Sequence, residues 1–248
     1  MSRGARWLIA LCVLVFVAVV GANLPASLVN RWLPSTVSVG SLSGTLWHGE
    51  ALAVRAAGID VERVEWHLHP LGLLAGRVSA QVEATQAADQ LSADVILSGD
   101  RIEAHGVDAN IDVATLAGRM LPAGWAGLAR LKFDEIVFAG NWITSIRGTA
   151  ESGTLTGPAD VQPYLGSYHL QFDRDAVAKP DVVVGHFRDV SGPIDISGDV
   201  ELYRARRAVV TGWVRARPTA APQVVADIAK LPEIDPQGRR RFSIENNY

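Results

Sequence analysis

The sequence predicts a mainly β protein, with an N-terminal transmembrane helix followed by an elongated, curved, mostly antiparallel sheet and a few short helices. Three observations carry this expectation. Residues 7–22 (WLIALCVLVFVAVVGA) are apolar throughout, the rest of the chain alternates apolar and polar residues with a period of two, and Gly or Pro interrupts that alternation at short intervals.

The N-terminal run comes first. No charged residue lies between Arg6 and Arg31, and a helix over 7–27 rises about 30 Å, the thickness of a bilayer's hydrocarbon core. Arg3 and Arg6 precede the run and the residues just after it are nearly neutral, so the positive-inside rule keeps 1–6 in the cytoplasm and puts 28–248 in the periplasm. Trp7 and Trp32 stand near the two ends as interfacial anchors, with a place in the core as the other reading of Trp32. A cleaved signal peptide is the rival reading, because Val20 and Ala22 make a passable small-residue site before Asn23; the length of the run favours a span. The single cysteine, Cys12, lies mid-run behind Leu11, which suits a small buried hydrophobe and not a lipoprotein signal, and excludes an intramolecular disulfide.

Beyond the span, VERVEWHLH (61–69) puts Val64, Trp66 and Leu68 on one face, and RVSAQVEA (77–84) does the same with Val78, Ala80, Val82 and Ala84. The period returns at Tyr168, Leu170 and Phe172, at Ile194 and Ile196, and at Val200 and Leu202. In GLARLKFDEIVF (127–138) the apolar positions run through Leu131 and Phe133, then skip to Ile136 and Phe138, which predicts a bulge or bend at Asp134 and Glu135. Ser98-Gly99-Asp100 and Ser197-Gly198-Asp199 suit hairpin turns of a meander. Short helical segments are expected at 71–75, 114–120 and 222–230, and no composition break splits the domain. Ser43-Gly44-Thr45-Leu46 recurs as Ser152-Gly153-Thr154-Leu155, a faint echo that a duplicated strand-introducing unit would produce.

Candidate chemistry is sparse. A net charge of −3 gives no general attraction for nucleic acid, so no nucleic-acid partner is expected. His67 and His69 share a strand face and two imidazoles so placed can share an ion, but that face also carries Glu65 and reads as a solvated one; His48, His105, His169 and His186 are scattered. Gly40-Ser41-Leu42-Ser43-Gly44 has Leu42 where a nucleophile elbow needs serine, and Asp134 and Glu135 point to opposite faces in a regular strand. No phosphate-cradling loop is present. No catalytic, cofactor-binding or metal-binding residue is assigned, no enzymatic activity and no small-molecule substrate are expected, and no cofactor is required. Core anchoring beneath a sheet is expected for most of Trp47, Trp66, Trp125, Trp142 and Trp213. Arg239-Arg240-Arg241 reads as charge protection of a last, edge strand, with anionic lipid or an acidic partner as the sharper alternative.

GSLSGTLWHGEALAV (40–54), after an apolar N-terminus and LPASLV (24–29), resembles the type II secretion system protein N family, also called general secretion pathway protein N. VEWHLHPLGLLAGRVSAQVEA (64–84), LPAGWAGLARLKF (121–133), LGSYHLQFD (165–173) and IDPQGRRRFSIEN (234–246) are similar to later blocks of that family. The resemblance implies a single-pass inner-membrane protein of a Gram-negative cell whose β-rich periplasmic domain scaffolds or stabilises the platform exporting folded proteins. Its implied partners are other inner-membrane type II secretion subunits, and its motifs of glycine and apolar residues carry fold but no catalytic groups. A competing architecture-based reading is a membrane-anchored β-groove protein that binds or transfers lipid in the periplasm.

Overall fold

Among the described residues, period-two alternation becomes thirteen β-strands, each antiparallel to its paired neighbours. In the computed structural model, residues 23–31, 37–56, 59–73, 76–116, 124–140, 142–158, 160–173, 175–177, 179 and 181–247 are described. The strands fall into two compact units, residues 1–87 and 88–248. The first holds β1 (Val37–Gly44), β2 (His48–Ala56), β3 (Ile59–His69) and β4 (Val78–Gln86) in chain order. The second holds β5 (Asp89–Ser98), β6 (Arg101–Asp112), β7 (Leu128–Ala139), β8 (Trp142–Ser152), β9 (Ser167–Phe172), β10 (Val182–Ser191), β11 (Ile194–Tyr203), β12 (Arg207–Ala216) and β13 (Arg240–Asn247), again as a meander.

Among the described residues three α-helical segments accompany them, α1 (Pro70–Leu73), α2 (Val113–Leu116) and α3 (Pro222–Ala229), besides 3-10 helices at Ala26–Arg31 and Gln162–Tyr164. Each of the three α-helical segments coincides with an expected one. Pro222 opens α3, where its missing N–H is no loss, and the helix buries Val224 against Ile194 and Val214. Burial of a valine-sized side chain contributes about 1.5–3 kcal/mol, enough to hold a two-turn helix with no side-chain cap at its N-terminus.

The expected transmembrane helix lies outside the described residues as far as residue 22. Its last turn does not continue as helix: Asn23 is in a turn, Pro25 bridges Thr45, and Ala26–Arg31 form a 3-10 helix. Pro25 disfavours helical geometry at Leu24, whose carbonyl instead accepts the Leu46 amide at 2.7 Å. Among the described residues no helix is long and apolar enough to cross a membrane.

The bulge in β7 is found, with the register on β8 shifting between Phe133 and Glu135. A second shift follows at Val137/Phe138, so Val137 is buried at 1% exposure and Phe138, expected inside, keeps 36%. Ser98-Gly99-Asp100 makes the expected two-residue turn between paired Ser98 and Arg101, with Gly99 at φ +63. Ser197-Gly198-Asp199 does not turn: it lies within β11, and Gly198 faces Gly212 of β12. A Cβ on either glycine would run into the facing backbone, so glycine serves close strand approach there. The two copies of the Ser-Gly-Thr-Leu echo differ: the first ends β1 and leads into β2 at His48, as expected, whereas the second ends β8 and among the described residues the next strand, β9, begins only at Ser167.

Aromatic rings occupy the space these glycines leave. Phe187 of β10 and Phe242 of β13 meet at 6.3 Å across Gly198 and Gly212. Phe133 and Phe172 meet at 6.0 Å beside Gly148, and the Trp66 ring covers its cross-strand partner Gly49. The Trp66 indole N–H donates to the Leu46 carbonyl at 3.0 Å, whereas that of Trp142 is buried with no acceptor among the described residues. The five inspected tryptophans are all half-buried, so they bound the core more than they fill it.

Two substitutions test this packing by urea unfolding. Gly198→Ala is expected to cost about 1–3 kcal/mol because its Cβ overpacks the β11–β12 contact. Trp66→Phe is expected to cost about 1 kcal/mol through the lost hydrogen bond, and Trp142→Phe much less, because no bond is broken there.

Candidate functional site

The first unit departs from simple alternation at one level across three strands. Val39, Val54 and Val61 are paired neighbours, as are Leu42, Ala51 and Val64, and both rows are buried or half-buried although they stand three residues apart. No residue is inserted to cause this phase change. Ala53, at φ +51, turns the β2 backbone over, an uncommon conformation for a residue with a Cβ. Gly40 stands against it, and a Cβ there would lie 3.0 Å from the Ala53 Cβ. An open groove of about 710 Å³ follows this crease, lined by Val39, Leu52, Val54 and Val61 with Arg55 and Asp60 at hand. The Arg55 Nε lies 2.6 Å from Asp60 Oδ1. The groove suits an apolar side chain.

The terminal strands differ in chemistry. β1 (VSVGSLSG) has eight residues, no charge, no proline and no register shift against β2. β13 (RRFSIENN) carries Arg240, Arg241 and Glu245. The expected protection of a last strand by the arginine cluster is therefore located at β13, and each arginine is engaged: Arg239 Nε with Asp235 at 2.7 Å, Arg240 with the Leu231 carbonyl at 2.6 Å, Arg241 with Glu233 at 3.2 Å.

Asp235 is held below the ordinary carboxylate range. Burial pushes it up, and the Arg239 amide and guanidinium together with the Gln237 amide outweigh that. Glu103 is also lowered, first by the hydrogen bond from His105 and then by Arg101. Tyr168 is raised by burial and, to a lesser degree, by Asp189. Asp189 keeps only 5% side-chain exposure, accepts the Ile196 amide at 2.8 Å and pairs with Arg217, whose other arm donates to the Gly192 carbonyl at 2.9 Å. These bonds tie the β10–β11 turn to the end of β12.

The histidines do not gather at one point. His48 and His67 meet edge to face at 4.7 Å, His69 closes β3, and His169 and His186 pair with cross-strand carboxylates Glu151 and Asp199 at 3.0 and 2.6 Å. Among the described residues no three His, Cys, Asp or Glu groups gather as metal ligands. Asp134 and Glu135 do not form a carboxylate pair; Asp134 is the bulged residue and binds Arg147 at 3.1 Å. Cys12 lies outside the described residues. The crease was missed by sequence reasoning, though a spacing of three between inward residues on three successive strands was its signal.

The family described as Type II secretion system (T2SS), protein N, matches residues 35–243. A protein named Type II secretion system protein N from Aeromonas hydrophila is 22% identical over 240 residues, 93% of this chain and 93% of that one. No solved structure gives a significant match.

Two measurements test the electrostatic reading. Asp189→Ala, which strands the Ile196 amide and Arg217, is expected to cost about 2–3 kcal/mol in urea unfolding. Since Glu103 and Asp235 titrate lower when folded than unfolded, the stability they contribute is complete above the ordinary carboxylate range and is lost as pH falls through their lowered pKa values; Glu103→Gln should flatten that acid limb.

Proposed function

The chain belongs to the type II secretion system protein N family, and from that premise we propose that it is an accessory, non-enzymatic inner-membrane subunit that scaffolds or stabilises the platform of the machine. The observation that carries the reading is the family match along nearly the whole β-rich part, residues 35–243. In this reading residues 7–22 hold the chain in the membrane with its bulk in the periplasm, and confinement to that surface raises its effective concentration toward other anchored subunits, so that modest interfaces suffice.

The edge of β1 supports a mode of contact. An uncharged, unbulged terminal strand offers its backbone donors and acceptors to an extended partner segment, and the crease groove includes Ser38, Val39 and Gly40 of that same strand. The charged β13 discourages the same event at the last strand of the second unit. A second reading, lipid binding, is favoured by one row: Leu97, Ile102 and Phe138 are cross-strand neighbours and keep 41%, 41% and 36% exposure. Against it, α3 and the turn bearing Ala176 and Val177 already cover other parts of that apolar face.

A photo-crosslinking residue at Ser41 of β1, introduced into the full chain in native membranes, is expected to capture another type II secretion subunit, while one at Ser243 of β13 does not. Recovery of lipid-transport proteins alone, with lipid retained in native mass spectrometry, would replace the scaffold reading by the lipid one.

A further inference from the structure

The link between β3 and β4 exposes its apolar residues. Leu71 is 78% exposed, and Leu73 and Val78 beside it keep 44% and 37%. The exposure is built in by the backbone: Pro70 opens α1 directly after His69, and the Gly76 and Arg77 amides donate back to the Leu73 and Gly72 carbonyls at 3.1 and 3.0 Å, closing a tight projecting turn. A leucine pair held out in this way has no core to join.

The turn stands at the end of the unit where the described chain begins. Leu46 donates to the Leu24 carbonyl at 2.7 Å, and Leu68 donates to the Trp47 carbonyl at 2.7 Å. Asn23 is therefore about two strand spacings, roughly 10 Å, from the strand that runs into α1. Immediately before Asn23 in the sequence is the apolar run 7–22. The charges at this end complete the picture: segments 23–49 and 66–82 contain no Asp or Glu, while His48, His67, His69 and Arg77 are exposed.

We propose that α1 seats on an anionic phospholipid bilayer, Leu71 and Leu73 entering the acyl boundary beside the end of the N-terminal anchor while Arg77 and the three histidines face phosphate headgroups. The inference rests on the anchor reading of residues 7–22. A second membrane contact beside the first converts a swivelling tether into a fixed stance, with the first unit's meander directed at a constant angle to its neighbours.

The test uses the full chain carrying Cys12→Ser, reconstituted into vesicles of phosphatidylethanolamine and phosphatidylglycerol. An environment-sensitive fluorophore is attached at Leu71→Cys or, as a control, at Ser191→Cys, an exposed position at the end of β10. The expected result is blue-shifted emission and quenching by nitroxide-bearing lipid at position 71 and neither at 191, with the shift lost when Leu73→Asp is added and circular dichroism unchanged. A water-like probe at 71 in a chain that floats with the vesicles overturns the seating and leaves the anchor reading intact, as does a shift that appears only on addition of a protein partner. A chain that fails to float removes the anchor reading and this inference with it.

Discussion

Cross-strand glycines facing aromatic rings decide how closely the strands of this protein approach and how thin its apolar layer is. Gly198 and Gly212 bring β11 and β12 together with no side chain between them, and Phe187 and Phe242 close over the gap from the flanking strands. Gly148 with Phe133 and Phe172, and Gly49 with Trp66, repeat the device. The rings supply apolar contact that the glycines cannot, so a mostly half-buried surface holds without many fully buried side chains. The fully buried side chains are accordingly small, with Val137, Val183 and Val224 the largest below 2% exposure.

The opposite surface is held differently. Across β5–β13 the polar positions carry cross-strand pairs such as Glu151 with His169, Asp199 with His186, and Asp195 with Arg215. Each exposed pair is worth only about 0.2–1 kcal/mol, and their main effect is on register, since a one-residue slip would separate the paired charges and turn every apolar residue outward. Asp189 with Arg217 is the exception, being nearly buried on the carboxylate side and joined to two backbone groups.

Much of the fold was legible because alternation is a direct image of a one-sided strand: Val64, Trp66 and Leu68, or Leu170 and Phe172, appear in the structure as read. The bulge at Asp134 was legible because an inserted residue shifts the apolar phase. Ser98-Gly99-Asp100 and Ser197-Gly198-Asp199 show where local reading stops, since the same three residues turn the chain once and continue a ten-residue strand once. The difference lies in what stands opposite, and Gly212 is fourteen residues away. The crease was hidden because Ala53 reverses the face by its backbone angle, and alanine gives no signal for a positive φ. Leu71 and Leu73 were read as part of a short leucine-rich helix, and apolar composition alone does not say that a turn projects.

We propose that a single apolar N-terminal span holds the β-rich body on the periplasmic side of the inner membrane. Protease treatment of spheroplasts, followed by identification of the N-terminus of the membrane-bound material, tests it most directly. The account predicts that externally added protease digests the β-rich body and that the undigested chain retains residues 7–22 and resists extraction at alkaline pH. A mature chain beginning near Asn23 that washes free, or a body digested only by protease on the cytoplasmic side, would contradict it.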